Sequence, residues 1–110
     1  DDTGGGEPSI SVVPETMDLG KVLVGNPRNV NLEIRNVGQA PLEVFEVLCA
    51  MPRISITPFV GMIPPGDFEL VPVTGTCTIE EQVSGLMRVV SDDPDTKAVD
   101  VPVFMNCITP

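Results

Sequence analysis

The 110-residue chain contains no histidine, tryptophan or tyrosine and only four phenylalanines. Histidine is the usual general base near neutral pH, and aromatic side chains wall many sugar and base pockets. Without an imidazole, no cysteine or serine of the chain can be activated in a Cys/His or Ser/His arrangement. The neighbouring acids Glu80 and Glu81 point apart on an extended chain, so we do not expect them to act as a catalytic pair. We therefore predict that the domain is not an enzyme and uses no cofactor.

Basic residues are also scarce. Six Lys and Arg stand against 16 Asp and Glu, which gives a formal net charge of -10. Such a surface repels nucleic-acid backbones and anionic lipid headgroups. No apolar run approaches the length of about 18 residues that a membrane span needs. We expect no nucleic-acid binding and no transmembrane segment, and we interpret the acidity as that of a solvated surface rather than a device for steering partners.

The residues that are abundant favour β-structure. Hydrophobic residues make up 42% of the chain, and 12 Pro and 10 Gly would break a helical bundle repeatedly. With so few aromatics, the core must consist mainly of Val, Ile, Leu and Met, and the first two of these favour strands. The length suits one domain with a single core. Composition therefore predicts one all-β domain with many short strands joined by turns.

The alternation of apolar and polar residues places eight strands. In the clearest of them, Val30, Leu32 and Ile34 share one face, while the residues between them are polar. In the next strand the alternation breaks after Val44, which predicts a β-bulge. The predicted strands are Ile10 to Val13, Met17 to Val24, Asn29 to Asn36, Leu42 to Leu48, Ile54 to Thr57, Phe68 to Thr74, Gly85 to Val90 and Ala98 to Phe104.

Four turn signals lie in order between these strands. They are Leu19-Gly20-Lys21-Val22, Asn36-Val37-Gly38-Gln39-Ala40-Pro41-Leu42, Ile63-Pro64-Pro65-Gly66 and Ser91-Asp92-Asp93-Pro94. Their order, from about Ile10 to about Val103, resembles that of the ASH (abnormal spindle/hydin-like) immunoglobulin-like domains. These are relatives of the major-sperm-protein fold, and the chain resembles the bacterial choice-of-anchor-D-like type among them. The resemblance implies an immunoglobulin-like Greek-key β-sandwich of seven to eight antiparallel strands, with a core lined by Val30, Leu32, Ile34, Leu42, Val44, Ile63, Leu70, Val73, Leu86, Val99, Val101 and Val103.

The chain divides into two parts by composition. Residues 1–8 are polar and glycine-rich and predict a flexible tether, although an arbitrary boundary explains them equally well. Residues 9–110 form the ASH-type domain. Relatives with this fold make protein contacts, so the resemblance implies a non-catalytic interaction or spacer module, with neighbouring domains or another chain as partner. We expect it within a larger secreted, periplasmic or surface-anchored bacterial protein, such as a lipoprotein. The alternatives are a calcium-dependent adhesion module and a cytoplasmic, ciliary or centrosomal targeting module.

The acidic turn Asp92-Asp93-Pro94-Asp95 offers hard oxygen ligands of the kind that calcium prefers. Asp92, Asp93 and Asp95 are therefore weak metal candidates. In the family that the chain resembles, Ser-Asp-Asp-Pro is an ordinary turn before the last strand, and Asp side chains cap backbone N–H groups in such turns. We favour the turn and predict no metal site.

The three cysteines gather at one end of the predicted sandwich. If strand directions alternate, Cys49, Cys77 and Cys107 all follow strands that run the same way. We prefer a Cys77–Cys107 disulfide, with Cys49–Cys77 as the second choice and three unpaired buried thiols as the third. An odd count leaves at least one thiol unpaired within the chain. A disulfide would indicate an extracytoplasmic location, whereas none would favour the cytoplasm.

One connection is unusually apolar for a surface segment. Phe59 and Met62 lie between the fifth strand and the Pro64-Pro65-Gly66 turn, and neither has an obvious place in a sheet. They either cap the end of the core or form a contact patch for a partner.

Overall fold

The computed structural model of the protein describes residues 6–109, which form nine strands in two sheets. The strands are β1 (Ile10–Val13), β2 (Met17–Leu23), β3 (Arg28–Asn36), β4 (Leu42–Cys49), β5 (Ile54–Ile56), β6 (Gly61–Ile63), β7 (Phe68–Gly75), β8 (Glu81–Ser91) and β9 (Ala98–Ile108). The predicted all-β immunoglobulin-like sandwich is confirmed. Most of the residues predicted as a tether, residues 1–5, lie outside the described residues. Within the described range no helix is long and apolar enough to cross a membrane.

The two sheets have the strand orders β1-β3-β7-β5 and β2-β9-β8-β4-β6. Neighbouring strands pair antiparallel with one exception, because β2 runs parallel to β9. That pair departs from the all-antiparallel expectation. Strands β1 and β2 run in the same direction but belong to different sheets. The chain crosses from one sheet to the other between Val13 and Met17, and this crossing places β2 parallel to β9.

The core lies between the inner faces of the two sheets and is built from aliphatic and Met side chains. Leu32 and Ile34 of β3, and Val101 and Val103 of β9, are all buried, as the alternation predicts. The buried members of the predicted core are Leu32, Ile34, Leu42, Val44, Ile63, Val73, Val101 and Val103, while Val30 and Val99 are partly buried.

The prediction was wrong for two residues that were assigned to the core. Leu70 is 45% exposed and Leu86 is 55% exposed, so both point away from the core. In each strand the alternate set of residues faces inward: Val71 and Val73 in β7, and Met87 and Val89 in β8. A run such as Leu86-Met87-Arg88-Val89-Val90 carries apolar residues on both faces, so its pattern does not determine which face is buried.

The strand boundaries also differ from the predictions in places. The short strand β6 (Gly61–Ile63) pairs with the start of β4 and lies where a connection was expected. The predicted bulge after Val44 is confirmed, since the β4–β8 register shifts between Val44 and Glu46. Strands β8 and β9 extend further than predicted because they pair with each other from Glu81↔Cys107 to Val90↔Ala98.

The strand directions give the sandwich two distinct ends. We call one the entry pole: it contains residues 6–9, the β3–β4 connection and the β8–β9 turn. We call the other the exit pole: it contains the β2–β3 turn, the β7–β8 connection and the end of β9 at Ile108. Residues 6–9 and Ile108 therefore lie at opposite ends of the domain.

Candidate functional site

The entry pole is organised by the side chain of Asn36, the last residue of β3. Its Nδ2 donates to the carbonyl oxygens of Ala40 at 2.7 Å and Ile63 at 3.0 Å. Its Oδ1 accepts from the backbone N–H of Gly38 at 3.0 Å and of Ser9 at 3.3 Å. Asn36 is buried, and these four bonds satisfy its whole amide group. One side chain thus joins the segment before β1 to two turns of the same pole.

Backbone bonds continue this attachment towards the beginning of the chain. Val37 N–H donates to the Ser9 carbonyl at 2.8 Å, and Gln39 N–H donates to the Glu7 carbonyl at 2.9 Å. The segment passes so close to Gly38 that a Cβ on this glycine would lie 2.2 Å from the Glu7 oxygen. Glycine is therefore required at position 38 for the segment to pack there.

Asp93 forms the second attachment of the same segment. Its Oδ2 accepts from the Ile10 N–H at 2.8 Å, and its Oδ1 accepts from the N–H groups of Asp95 at 2.8 Å and Thr96 at 3.0 Å. Burial by itself raises the pKa of Asp93, but the three backbone donors together outweigh it and place the pKa below its ordinary value. The carboxylate is therefore ionised at neutral pH and holds the first residue of β1 to the β8–β9 turn.

The weak metal candidates have other roles in this geometry. Asp93 is committed to three backbone donors, and Asp92 Oδ1 accepts from the Glu43 N–H at 2.9 Å. Asp95 is exposed. Within residues 6–109 no group of three or more His, Cys, Asp or Glu side chains is placed to hold a metal ion. Asp92 and Asp93 thus act as capping groups for backbone N–H groups around the turn.

The exit pole contains a covalent link. Cys77, in the β7–β8 connection, is bonded to Cys107 of β9 with a Cα–Cα distance of 5.5 Å. This is the pair that the sequence analysis preferred. Both cysteines are buried, whereas Cys49 at the end of β4 is unpaired and partly buried. The disulfide joins two elements that lie 30 residues apart in sequence.

The outer face of the five-stranded sheet carries an apolar patch, which we call the outer patch. It consists of Leu48, Leu86, Pro102 and Phe104. Leu86 lies directly opposite Pro102, and Phe104 lies two residues along β9 from Pro102 on the same face. Leu48 of β4 lies opposite Arg88, diagonal to Leu86. Leu48, Leu86 and Phe104 are 49%, 55% and 44% exposed. Side chains at such cross-strand and diagonal positions lie within reach of one another, so these residues form one patch.

An ion pair borders the outer patch. Arg88 donates to Asp100 through Nε at 2.8 Å and Nη2 at 3.3 Å, which makes the pair bidentate. The hydrogen bond from Arg88 lowers the pKa of Asp100, and the same contact raises the pKa of Arg88. Since both charges are exposed, they add little stability. They do give the patch a defined polar edge, a combination found at protein contact surfaces.

The structure separates the two residues predicted as a contact pair. Phe59 is partly buried and packs against the core, whereas Met62 of the edge strand β6 is 53% exposed. Met62 pairs with Glu43 across the sheet. Phe59 thus closes one side of the core, and only Met62 is available to a partner.

A shallow cleft of about 570 Å³ lies at the exit pole between β8 and the β4–β5 connection. Its lining includes Met51, Gly85 and Leu86, and Arg53 Nε donates to Glu81 Oε2 at 2.8 Å within it. Met51 covers Gly85 so closely that a Cβ there would lie 2.7 Å from the Met51 sulfur. The cleft combines this ion pair and the exposed Ser84 hydroxyl with apolar walls.

Two features of the folded domain were not predicted from the sequence. Asn36 was assigned to the end of a strand and to a turn without its buried hydrogen bonds, and Leu86 was assigned to the core. The polar Asn36 at the inward position after Leu32 and Ile34 was a usable signal, because a polar residue on a buried face must form hydrogen bonds. The outer patch had no comparable signal, since it becomes visible only when the facing residues of β8 and β9 are known.

Comparison with known proteins agrees with this architecture. The family model of the HYDIN/CFA65/VesB-like Ig-like domain matches residues 8–102. No curated protein sequence gives a significant match. The predicted resemblance to ASH domains is confirmed by the family match and by structural similarity to an ASH domain of human CEP192.

Several solved structures share the fold at low sequence identity. A protein of unknown function from Porphyromonas gingivalis W83 has a TM-score of 0.81 at 20% identity, covering 90% of this chain and 46% of that one. The ASH/PapD-like domain 7 of human CEP192 has a TM-score of 0.79 at 10% identity, covering 94% of this chain and 88% of that one. The VesB protease of Vibrio cholerae has a TM-score of 0.70 at 12% identity, covering 88% and 31%. The chain spans less than half the length of the P. gingivalis protein, and these similarities concern the fold alone.

Proposed function

The chain belongs to the HYDIN/CFA65/VesB-like family of Ig-like domains, and we propose that it is a non-catalytic interaction or spacer module within a larger secreted, periplasmic or surface-anchored bacterial protein. The observation that carries this proposal is the outer patch. Leu48, Leu86 and Phe104 form an exposed apolar surface at the centre of a sheet, on a chain whose formal net charge is -10. Apolar surface of this kind, with a polar edge, is typical of contact sites.

The occupant that we propose for the outer patch is a neighbouring domain of the same protein. Two of the structurally similar chains, the P. gingivalis protein and VesB, are covered to only 46% and 31% of their length, so the fold occurs there beside other regions. Residues 6–9 and Ile108 lie at opposite poles, which leaves the sheet faces free for lateral contact. Catalysis is not part of the proposal, because ASH-type domains are typically non-catalytic.

Two features support the choice between the alternatives. The Cys77–Cys107 disulfide favours an extracytoplasmic location over a cytoplasmic targeting role. The commitment of Asp93 to backbone donors disfavours a calcium-dependent adhesion role, since those oxygens already have partners. The proposed partners are therefore proteins rather than ions or nucleic acids.

Covalent footprinting with a carbene reagent tests the contact. The 110-residue chain and the longer protein would be labelled in parallel, and the modification of each side chain compared by mass spectrometry. We expect labelling of Leu86 and Phe104 to fall several-fold in the longer protein, while labelling of Leu70 stays constant. Leu70 is a matched control because it is similarly exposed on the opposite sheet. Equal labelling of Leu86 and Phe104 in both proteins would contradict a contact with a neighbouring domain.

A double variant completes the test. Leu86→Ser with Phe104→Ser changes exposed side chains, so we expect the fold to remain and the protection of Leu48 in the longer protein to be lost. Leu70→Ser should leave that protection unchanged. If Leu48 stays protected in the double variant, the outer patch is not what holds the neighbouring domain.

A further inference from the structure

The two ends of the domain lie at opposite poles, so a pulling force applied to them acts along one line. Ser9 is attached at the entry pole through Asn36 and Ile10 through Asp93, and β9 ends at the exit pole beside the last residues of β2. Val24 N–H donates to the Ile108 carbonyl at 2.9 Å, and Thr109 Oγ1 donates to Glu80 Oε2 at 3.3 Å. A force that separates the flanking segments would therefore act along the strand axes and cross the whole sandwich.

The parallel pair β2–β9 lies directly in this path. The register runs from Met17↔Val103 to Leu23↔Ile108, with both strands directed from the entry pole to the exit pole. Tension would load β1 against β3 first and, through residues 14–16, would pull β2 back towards the entry pole, while β9 is pulled towards the exit pole. The hydrogen bonds of the ladder run across the strands, so they would be loaded together in shear. Strands pulled apart from one shared end would instead lose their bonds one at a time.

Packing resists the same movement. Met17, Leu19 and Val22 of β2 point into the core and are buried. A slip by one residue would turn these side chains to the opposite face and expose them. The register also contains a bulge between Asp18 and Lys21, where Arg28 Nη1 donates to the Leu19 carbonyl at 2.9 Å. The bulge sets the register of β2 on β9, and Arg28, the first residue of β3, ties β2 to the other sheet.

The disulfide limits how far the chain can extend under tension. Tension that enters at Thr109 reaches Cys107 first and passes through the sulfurs to Cys77. Cys77 and Cys107 are 30 positions apart in sequence, and the segment between them, which contains all of β8 and most of β9, is enclosed in a covalent loop. While the disulfide is intact, these residues cannot lengthen between the two points of load.

We propose that the domain is a force-bearing module, in which the β2–β9 pair is a shear clamp and the Cys77–Cys107 disulfide limits extension. The proposal rests on the proposed function to the extent that tension reaches the domain only through flanking segments of a longer protein. The clamp itself is a property of the 110-residue chain and can be tested without a partner.

Single-molecule force spectroscopy would compare two directions of pulling on the same sequence. In the first, handle domains are attached at the two ends of the chain. In the second, the second handle is attached at Lys97→Cys in a Cys49→Ser background. Lys97 is exposed and lies at the entry pole just before β9, so pulling there separates β2 and β9 from a shared end. Both proteins carry the Cys49→Ser change, so they differ chiefly in where the force enters.

We expect one unfolding peak in end-to-end pulling, at a force at least twice that measured in the Lys97 direction. We also expect the unfolding extension in end-to-end pulling to increase by roughly 100 Å after reduction, which is the extended length of about 30 residues. Equal unfolding forces in the two directions, or end-to-end extension without a peak, would overturn the clamp. An extension that is unchanged by reduction would overturn the role of the disulfide.

These results are separate from the footprinting result. A high end-to-end force with unprotected Leu86 and Phe104 would remove the apolar contact and keep the clamp. A protected patch with no difference between the pulling directions would do the reverse.

Discussion

The carboxylate of Asp93 can be tested one oxygen at a time. In Asp93→Asn, the amide oxygen can replace Oδ1 and keep the bonds from Asp95 and Thr96. The amide nitrogen then takes the place of Oδ2 and faces the N–H of Ile10, so that two donors oppose each other. The substitution therefore removes the attachment of β1 selectively and leaves the β8–β9 turn intact.

The expected loss of stability follows from that one contact. A hydrogen bond to a charged group contributes about 1.5–3 kcal/mol. Burial of an ionised carboxylate is costly, and the neutral amide lowers that cost, which offsets part of the loss. We expect Asp93→Asn to lower the free energy of unfolding by about 1–2 kcal/mol. Asp95→Asn is a matched control in the same turn, and its exposed side chain should change stability by less than about 0.5 kcal/mol.

The chain has no Trp or Tyr, so urea unfolding would be followed by far-ultraviolet circular dichroism. Hydrogen exchange adds residue resolution. The Ile10 amide should exchange faster in Asp93→Asn, while the amides of Asp95 and Thr96 keep their rates. If the Ile10 rate is unchanged, or if Asp93→Asn and Asp95→Asn are equally stable, the assigned role of Asp93 is wrong.

The pH dependence gives a second test of the same residue. Because the pKa of Asp93 is lower in the folded protein than in the unfolded chain, its contribution is present above the unfolded value of about 4. That contribution is lost as the pH falls through the lower pKa of the folded state. The stability difference between wild type and Asp93→Asn should therefore shrink steadily below about pH 4. A difference that is constant or grows on acidification would contradict this assignment.

Three further results are expected. Leu32→Ala should cost about 2–5 kcal/mol, because Leu32 is completely buried, whereas Leu86→Ala should cost less than about 1 kcal/mol; equal losses in urea unfolding would refute the assigned strand faces. Non-reducing peptide mapping should find Cys77 linked to Cys107 and one alkylatable thiol at Cys49, and three alkylatable thiols in protein from an oxidising compartment would refute the link. Calcium should leave the melting temperature unchanged, whereas a site filled at 100 times its Kd would add about 2.7 kcal/mol and favour the adhesion alternative.

The fold was predictable because its signals are local. The alternation through Val30, Leu32 and Ile34 fixed one face of β3, and the Gly and Pro turns separated the strands. The parallel β2–β9 pair was not predictable in this way, since it depends on which sheet β2 joins. That choice is made by the packing of Met17, Leu19 and Val22 across the sandwich, and such packing has no counterpart in the order of residues along one strand.

The candidate site was less predictable than the fold for a related reason. A surface patch consists of residues that are distant in sequence, so Leu48 and Leu86 gain meaning only through the β4–β8 register. Leu86 and Met87 are adjacent apolar residues on opposite faces of β8, and their side chains alone do not show which of the two is buried. Phe59 and Met62 present the same difficulty in a short segment, because β6 has only three residues and its pairing with β4 decides which side chain turns outward.

The entry pole is stabilised by hydrogen bonds and the exit pole by a disulfide, and this difference bears on the proposed location of the protein. The attachment by Asn36 and Asp93 uses hydrogen bonds and does not depend on the redox state of the compartment. The disulfide does depend on it and, in the chain-entropy model, contributes about 3–4 kcal/mol for a closed loop of 30 residues. That amount is a large part of the stability of a small domain. A module of this kind would lose stability and its limit on extension together in a reducing cytoplasm, which is why an oxidising compartment fits both the interaction and the force-bearing roles that we propose.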